Sequence, residues 1–246
     1  MYAHETFPNA PIIEAAADFL VEFDPPLKQD ALSRFGESAK GRSPISRERR
    51  SFTTSVEIKE EEPIFRNNEN RFLAFSSLDE KYLAQVRRDG FGFSRLRPYI
   101  SWTDFADNSL SSWQIYRDTF SAERISRISL RYANRIDLPN PASFEEYFRT
   151  KIQIAPEIPQ EASDAMFSFA VTQRDTGDIG KIVSFVNPIS TTRDVLSVSL
   201  IVEASRQHIE GYLDNEQIRK ALEDLRDLKN LLFFCSITEK TKGMFR

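Results

Sequence analysis

The stretch Arg124–Pro139, RISRISLRYANRIDLP, decides how the rest of the chain is read. Successive side chains of a strand point to opposite faces. Here that rule puts Ile128, Leu130, Tyr132 and Ile136, joined by Asn134, on one side. Arg127, Ser129, Arg131, Ala133, Arg135 and Asp137 fall on the other. The alternation predicts a long β-strand with one buried and one polar face. It lies in the middle of a chain of 246 residues, and similar orders of elements precede and follow it.

Upstream, residues 1–10 read as a polar tail. Pro11–Phe23 alternates as a strand that ends at Pro25 and Pro26. Leu27–Ala39 has helical spacing, and Gly41–Arg50, with Arg42, Arg47, Arg49 and Arg50, reads as a solvated basic loop. Strands follow at Ser51–Glu60, Arg71–Ser76, Tyr82–Arg88 and Phe91–Arg97, the last two joined by the hairpin signal Asp89-Gly90. Asn108–Phe120 carries the apolar stripe Leu110, Trp113, Tyr116, Phe120 and closes the first half as a helix, with Asp107 or Asn108 as cap.

Downstream, Ser143–Thr150 is a helix candidate with Ser143 and Glu146 at capping-box spacing. Lys151–Ala162 reads as an extended connection. Ala165–Arg174, Lys181–Pro188 and Val195–Arg206 alternate as strands. A long helix starts near Asn215, with Ile218, Leu222, Leu225 and Leu232 on its buried face, and Ser236 with Glu239 allows a further short one. The predicted fold is α+β, in two similar β-α-β(3-4)-α halves spanning 11–122 and 123–246. They form one curved antiparallel sheet with helices on one face, the topology of the TATA-binding protein, a likeness that carries no function.

Composition narrows the function classes. The formal charge is -4, so a chain-wide basic footprint for nucleic acid is missing. Of the aromatic residues, 20 are Phe, which has no polar handle and belongs in a core. Cys235 is the single cysteine, which excludes an internal disulfide or a Cys-based zinc site and suits a reducing cytoplasm. No apolar run is long enough to span a membrane, and the acidic start does not read as a signal peptide.

Several segments carry a resemblance together. They are Ala10–Ala15, Arg88–Leu96, Pro98–Phe105 (PYISWTDF), Trp113–Tyr116, Leu130–Pro139 (LRYANRIDLP) and Glu146–Phe148. With these the chain resembles a sporadically distributed, uncharacterised bacterial family of roughly this length. The resemblance implies a place in mobile elements, defence or toxin–antitoxin loci, and it supplies no catalytic residues.

The residues offer little catalytic machinery. His4, His208 and Cys235 lack metal-ligand spacing, and no glycine-rich phosphate loop or nucleophile elbow is present. No cofactor and no metal are expected. Glu57 and Lys59 on one side of a strand, with Asp24 as a second acid, would suit a magnesium nuclease, although the run continues into Glu60, Glu61 and Glu62 as an exposed strand end would. Arg127, Arg131 and Arg135 either face water and acidic neighbours on the next strand or hold an anionic partner. Arg87, Arg95 and Arg97 would add to them if their strands are adjacent. Tyr99, Trp102 and Phe105 recur at a spacing of three, as a hydrophobic corner or an aromatic anchor for a partner. The expectation is a non-enzymatic binding or regulatory protein with a protein partner, a homo-oligomer being possible through a sheet edge. A nuclease and a single-stranded nucleic-acid-binding protein on the Arg rows are the alternatives.

Overall fold

The alternating stretch is strand β6, Arg124–Pro139, and it lies inside a nine-stranded antiparallel sheet. The computed structural model describes residues 5–59, 62–140, 142–151, 166–186, 191–207, 209 and 214–246, with the backbone alone for 50–59 and 62–70. The other strands are β1 (Ile12–Glu22), β2 (Ile45–Lys59), β3 (Glu62–Ser76), β4 (Tyr82–Arg87), β5 (Gly90–Leu96), β7 (Met166–Thr172), β8 (Ile179–Val186) and β9 (Val195–Gln207). Their order across the sheet is β2-β3-β4-β5-β1-β6-β9-β8-β7. β6 therefore pairs with β1 on one side, Asp18 opposite Ser129, and with β9 on the other, Arg131 opposite Glu203.

The helices are α1 (Arg34–Ser38, entered through the 3-10 turn Gln29–Ser33), α2 (Trp102–Phe120), α3 (Phe144–Tyr147), α4 (Asn215–Ser236) and α5 (Glu239–Gly243). The apolar row of β6 clusters with Leu110 and Trp113 of α2 and with Ile218, Leu222 and Leu225 of α4. Both long helices thus cover the face that the alternation marks as buried. Trp113 stacks on Phe19 of β1, ring centroids 4.6 Å apart. Ile136 and Leu138 join a second cluster with Val198, Leu200, Phe233 and Phe234.

Four local expectations are corrected. Residues 45–50 form the start of strand β2 rather than a loop. There Arg47 and Arg49 sit on an outer strand of the sheet, where charge opposes pairing with other chains, and Arg47 reaches Glu80 at 2.7 Å. Helix α2 begins at Trp102, not Asn108, because Ser101 caps it by accepting from the Asp104 amide. The Ser143 side chain makes no capping bond, and α3 is a single turn ended at Phe148. The last helix is capped by Thr238 instead of Ser236, whose hydroxyl donates back to Leu232. The connection expected at Lys151–Ala162 lies almost wholly outside the described residues.

Candidate binding cleft

The two faces of β6 lead to two different sites. On the face away from the long helices, the arginine row meets carboxylates. Arg127 Nη2 lies 3.4 Å from Asp18 Oδ1, and Arg131 Nη2 lies 3.3 Å from Glu14 Oε2. Arg135 Nε lies 2.9 Å from Asp137 Oδ1. Arg87 Nη1 grips the other oxygen of Asp18 at 2.7 Å. Serines complete the lattice: Ser94 donates to Glu14 and Ser197 to Asp137, both at 2.7 Å. Burial alone would raise the Asp137 carboxyl, but the bonds from Arg135 and Ser197 outweigh it and hold it below its ordinary range. Arg87 joins this row from β4. Arg95 does not: it shares the helix-side face of β5 with Phe91 and Phe93, is buried, and stacks on the Tyr82 ring at 4.3 Å. Strand β1 separates β5 from β6, so Arg95 is not a neighbour of the β6 row, whereas Arg97, just past β5, helps Arg135 to lower the Asp137 carboxyl.

The weak catalytic set is not assembled by the backbone. Asp24 lies just past the end of β1, whereas Glu57 and Lys59 lie on β2, the outer strand on that side. Three strands stand between, so the two strands are about 19 Å apart at a spacing of ~4.8 Å. The side chains of Glu57 and Lys59 lie outside the described residues, as do His4 and His208. Among the described residues no group of three His, Cys, Asp or Glu could hold a metal ion. Among the described residues no helix is long and apolar enough to cross a membrane.

On the helix-side face, near the Ile136 end of the sheet, a cleft of about 890 Å³ opens. Its walls are the chain leading into β1, the segment Arg97–Ser101 with the first turn of α2, Tyr132 and Asn134 of β6, and residues 226–234 of α4. The aromatic stretch singled out by its spacing of three is therefore one wall of a cavity. Tyr99 and Tyr132 share a hydroxyl–hydroxyl hydrogen bond of 3.0 Å and meet edge to face. Burial pushes both phenols up. Trp102 is half-buried and carries the Arg226 guanidinium over its ring, 5.0 Å from the centroid. Asn134, buried in the apolar row of β6, donates to the Leu200 carbonyl at 3.0 Å and so sits there without an orphan amide.

The cleft holds one group that sequence patterning missed. Lys229 is buried, 8% exposed, at a position where α4 calls for an apolar residue. It stands four residues after Leu225 and four before Phe233, on the stripe that runs from Ile218 through Leu222. Its Nζ sits 3.6 Å from the centroid of the Tyr132 ring. Desolvation first, and repulsion from Arg226 second, lower the ammonium pKa to about 7. Neither Lys229 nor Arg226 makes an ion pair with a described residue. A lysine inside a helical apolar stripe was the signal available in the sequence, and it reads as a defect until the cavity beside it is seen. No family model, curated protein or solved structure matches the chain.

Proposed function

We propose that the protein is a non-enzymatic binding protein that takes an anion-bearing ligand into the cleft between the Arg97–Ser101 segment and α4. The observation that carries this reading is Lys229, a buried cation lining a cavity whose one carboxylate, Glu5, is already engaged by Arg246 and Lys242. A charge out of water normally needs a paired partner, and Arg226 beside it makes the deficit of negative charge larger. Arg97 lines the same cleft. Trp102, Tyr99 and Tyr132 offer flat apolar surface beside the cations, the combination of apolar lining and few convergent polar groups that ligand sites use. The motif resemblance supports a regulatory setting in a bacterial defence or toxin–antitoxin locus, with a partner protein responding to the loaded state.

Benzoate, which joins one carboxylate to one ring, is the simplest probe. Calorimetric titration should detect its binding to the wild-type chain, and Lys229→Met should weaken it about tenfold or more, the scale of one lost charge-assisted bond. Equal heats for the two proteins, or none for either, would refute the cleft as the site.

We also infer that the sheet descends from a duplicated half of TATA-binding-protein-like topology. The strand order supports it: β1 and β6 lie side by side, and each is followed in sequence by strands whose last member returns to pair with it, β5 and β9. The Asn9 amide donates to the Phe245 carbonyl at 3.0 Å, so the chain ends of the two halves meet. A circular permutant joined there and opened at Ser121–Glu123 should unfold cooperatively. A permutant without a cooperative transition would count against two structurally equivalent halves.

A further inference from the structure

We propose that Lys229 captures the carbonyl group of an oxo-acid as an imine, with Arg226 holding the ligand's carboxylate. This rests on the reading of the cleft as the ligand site and names the ligand's chemistry. The geometry supplies what such a capture needs. Lys229 lines a cavity of about 890 Å³, a volume that a small ligand can enter. The Tyr132 ring lies against it from β6, and Arg226 stands one α4 turn before it. The groups facing it across the cleft are the phenols of Tyr99 and Tyr132, Arg97 and, from the chain leading into β1, Glu5. Glu5 is engaged by Arg246 at 2.6 Å and by Lys242 at 3.7 Å, so it does not neutralise the cleft. Lysines that act on carbonyls are those desolvated in an apolar pocket or set beside another cation, and Lys229 has both surroundings. With its pKa lowered to about 7, a large fraction of the amine is neutral at neutral pH.

The step balances without any further reagent. The lone pair of the neutral Nζ adds to the carbonyl carbon, forming the C–N bond and sending the C=O π pair to oxygen. The two amine protons and that oxygen then leave as water, which leaves the C=N bond. The Trp102 ring beneath Arg226 offers a flat surface for a planar ligand body, so an aromatic or conjugated oxo-acid fits the wall better than a short aliphatic one.

The test uses the full chain with 4-formylbenzoate and cyanoborohydride at pH 7, followed by peptide mapping. Lys229 should be labelled at least about tenfold faster than exposed lysines such as Lys220, whose amines stay protonated at that pH. Benzoate should compete, and benzaldehyde, which lacks the carboxylate, should react more slowly. Lys229→Arg should leave only the slow surface labelling, and Lys229→Met serves as a second variant because methionine suits the apolar stripe. Labelling of Lys229 no faster than of Lys220 overturns the imine. If benzoate still binds in that case, the binding reading survives and only the covalent step falls. If neither labelling nor benzoate binding is seen, both fall together.

Discussion

The outer face of β6 and the cleft at its helix-side face are both lined by cations, yet they differ in one respect. On the outer face Arg87, Arg127, Arg131 and Arg135 each have a carboxylate within ion-pair distance. In the cleft Arg226 and Lys229 have aromatic rings instead. A half-exposed charge opposite a carboxylate is accounted for by the sheet itself, since cross-strand pairs of opposite charge stabilise a ladder. A buried charge without one costs stability and persists only where something else requires it. The contrast teaches that the count of arginines on a face says little about binding. What matters is whether the fold has already supplied the counter-ion.

The largest effect that would sharpen this contrast is the pH dependence of stability at Lys229. Its folded pKa of about 7 lies below the ordinary lysine value of 10.5. Between these values the unfolded chain binds more protons than the folded one, so stability rises with pH in that window and the penalty is fully present below it. The expected slope is about 1.4 kcal/mol per pH unit from this group alone. Denaturant unfolding at pH 7 and pH 9.5 should show the rise in the wild type and lose it in Lys229→Met, which should also be the more stable protein at pH 7. Parallel curves for the two proteins would mean that Lys229 is as well solvated as a surface lysine.

The outer face should give the opposite response, because there removing a carboxylate creates the unpaired charge that the cleft already contains. Asp18 is shared by Arg87 at 2.7 Å and Arg127 at 3.4 Å, and its side chain and that of Arg87 are only 27% and 19% exposed. Asp18→Ala should cost about 2–3 kcal/mol in unfolding free energy, below the range for a fully buried pair because some water reaches both groups. A loss smaller than half of that in denaturant titration would make the lattice a surface feature rather than a structural one.

The two regions were not equally legible in the sequence. The alternation in Arg124–Pro139 depends only on backbone geometry, so the strand and the orientation of every residue on it could be read directly. Whether its arginines were paired could not, because Glu14 and Asp18 come from a strand more than a hundred residues earlier and their register is a tertiary property. The start of α2 is not legible from the stripe beginning at Leu110, because Trp102 and Phe105 read as an aromatic corner outside the helix. They are its first turn, capped by Ser101. The spacing of Tyr99 and Trp102 suggests an aromatic anchor, and the cleft brings them together with Tyr132, Arg226 and Lys229. Lys229 does not stand out in the sequence, since one lysine among Ile218, Leu222, Leu225 and Leu232 disturbs an amphipathic pattern too little to break it. Arg95 escapes the sequence for a different reason: parity along a strand fixes a face, but which face is covered depends on where the helices pack.

A smaller effect tests the support of the cleft rather than its chemistry. Helix α4, which carries Arg226 and Lys229, begins in a capping box in which Asp214 accepts from the Gln217 amide at 2.8 Å and Gln217 answers at 2.9 Å. Asp214→Ala should lower stability by about 1 kcal/mol. Because the cap lies about four turns from Lys229, benzoate affinity should stay within about twofold. A larger drop in affinity would mean that the cleft draws on the whole length of the helix.

The smallest expected change is the most direct attempt to break the comparison. Arg131 is 43% exposed, and its bond to Glu14 is 3.3 Å long. Solvent screens such a pair, so Arg131→Ala should cost no more than about 1 kcal/mol. It should also leave benzoate titration and 4-formylbenzoate labelling as they are in the wild type, because the side chain projects from the opposite face of β6 to Tyr132. If Arg131→Ala instead abolished binding of an anionic probe while Lys229→Met did not, the working surface would be the outer arginine row. The ion pairs with Glu14 and Asp18 would then be a resting arrangement that a stronger anion displaces.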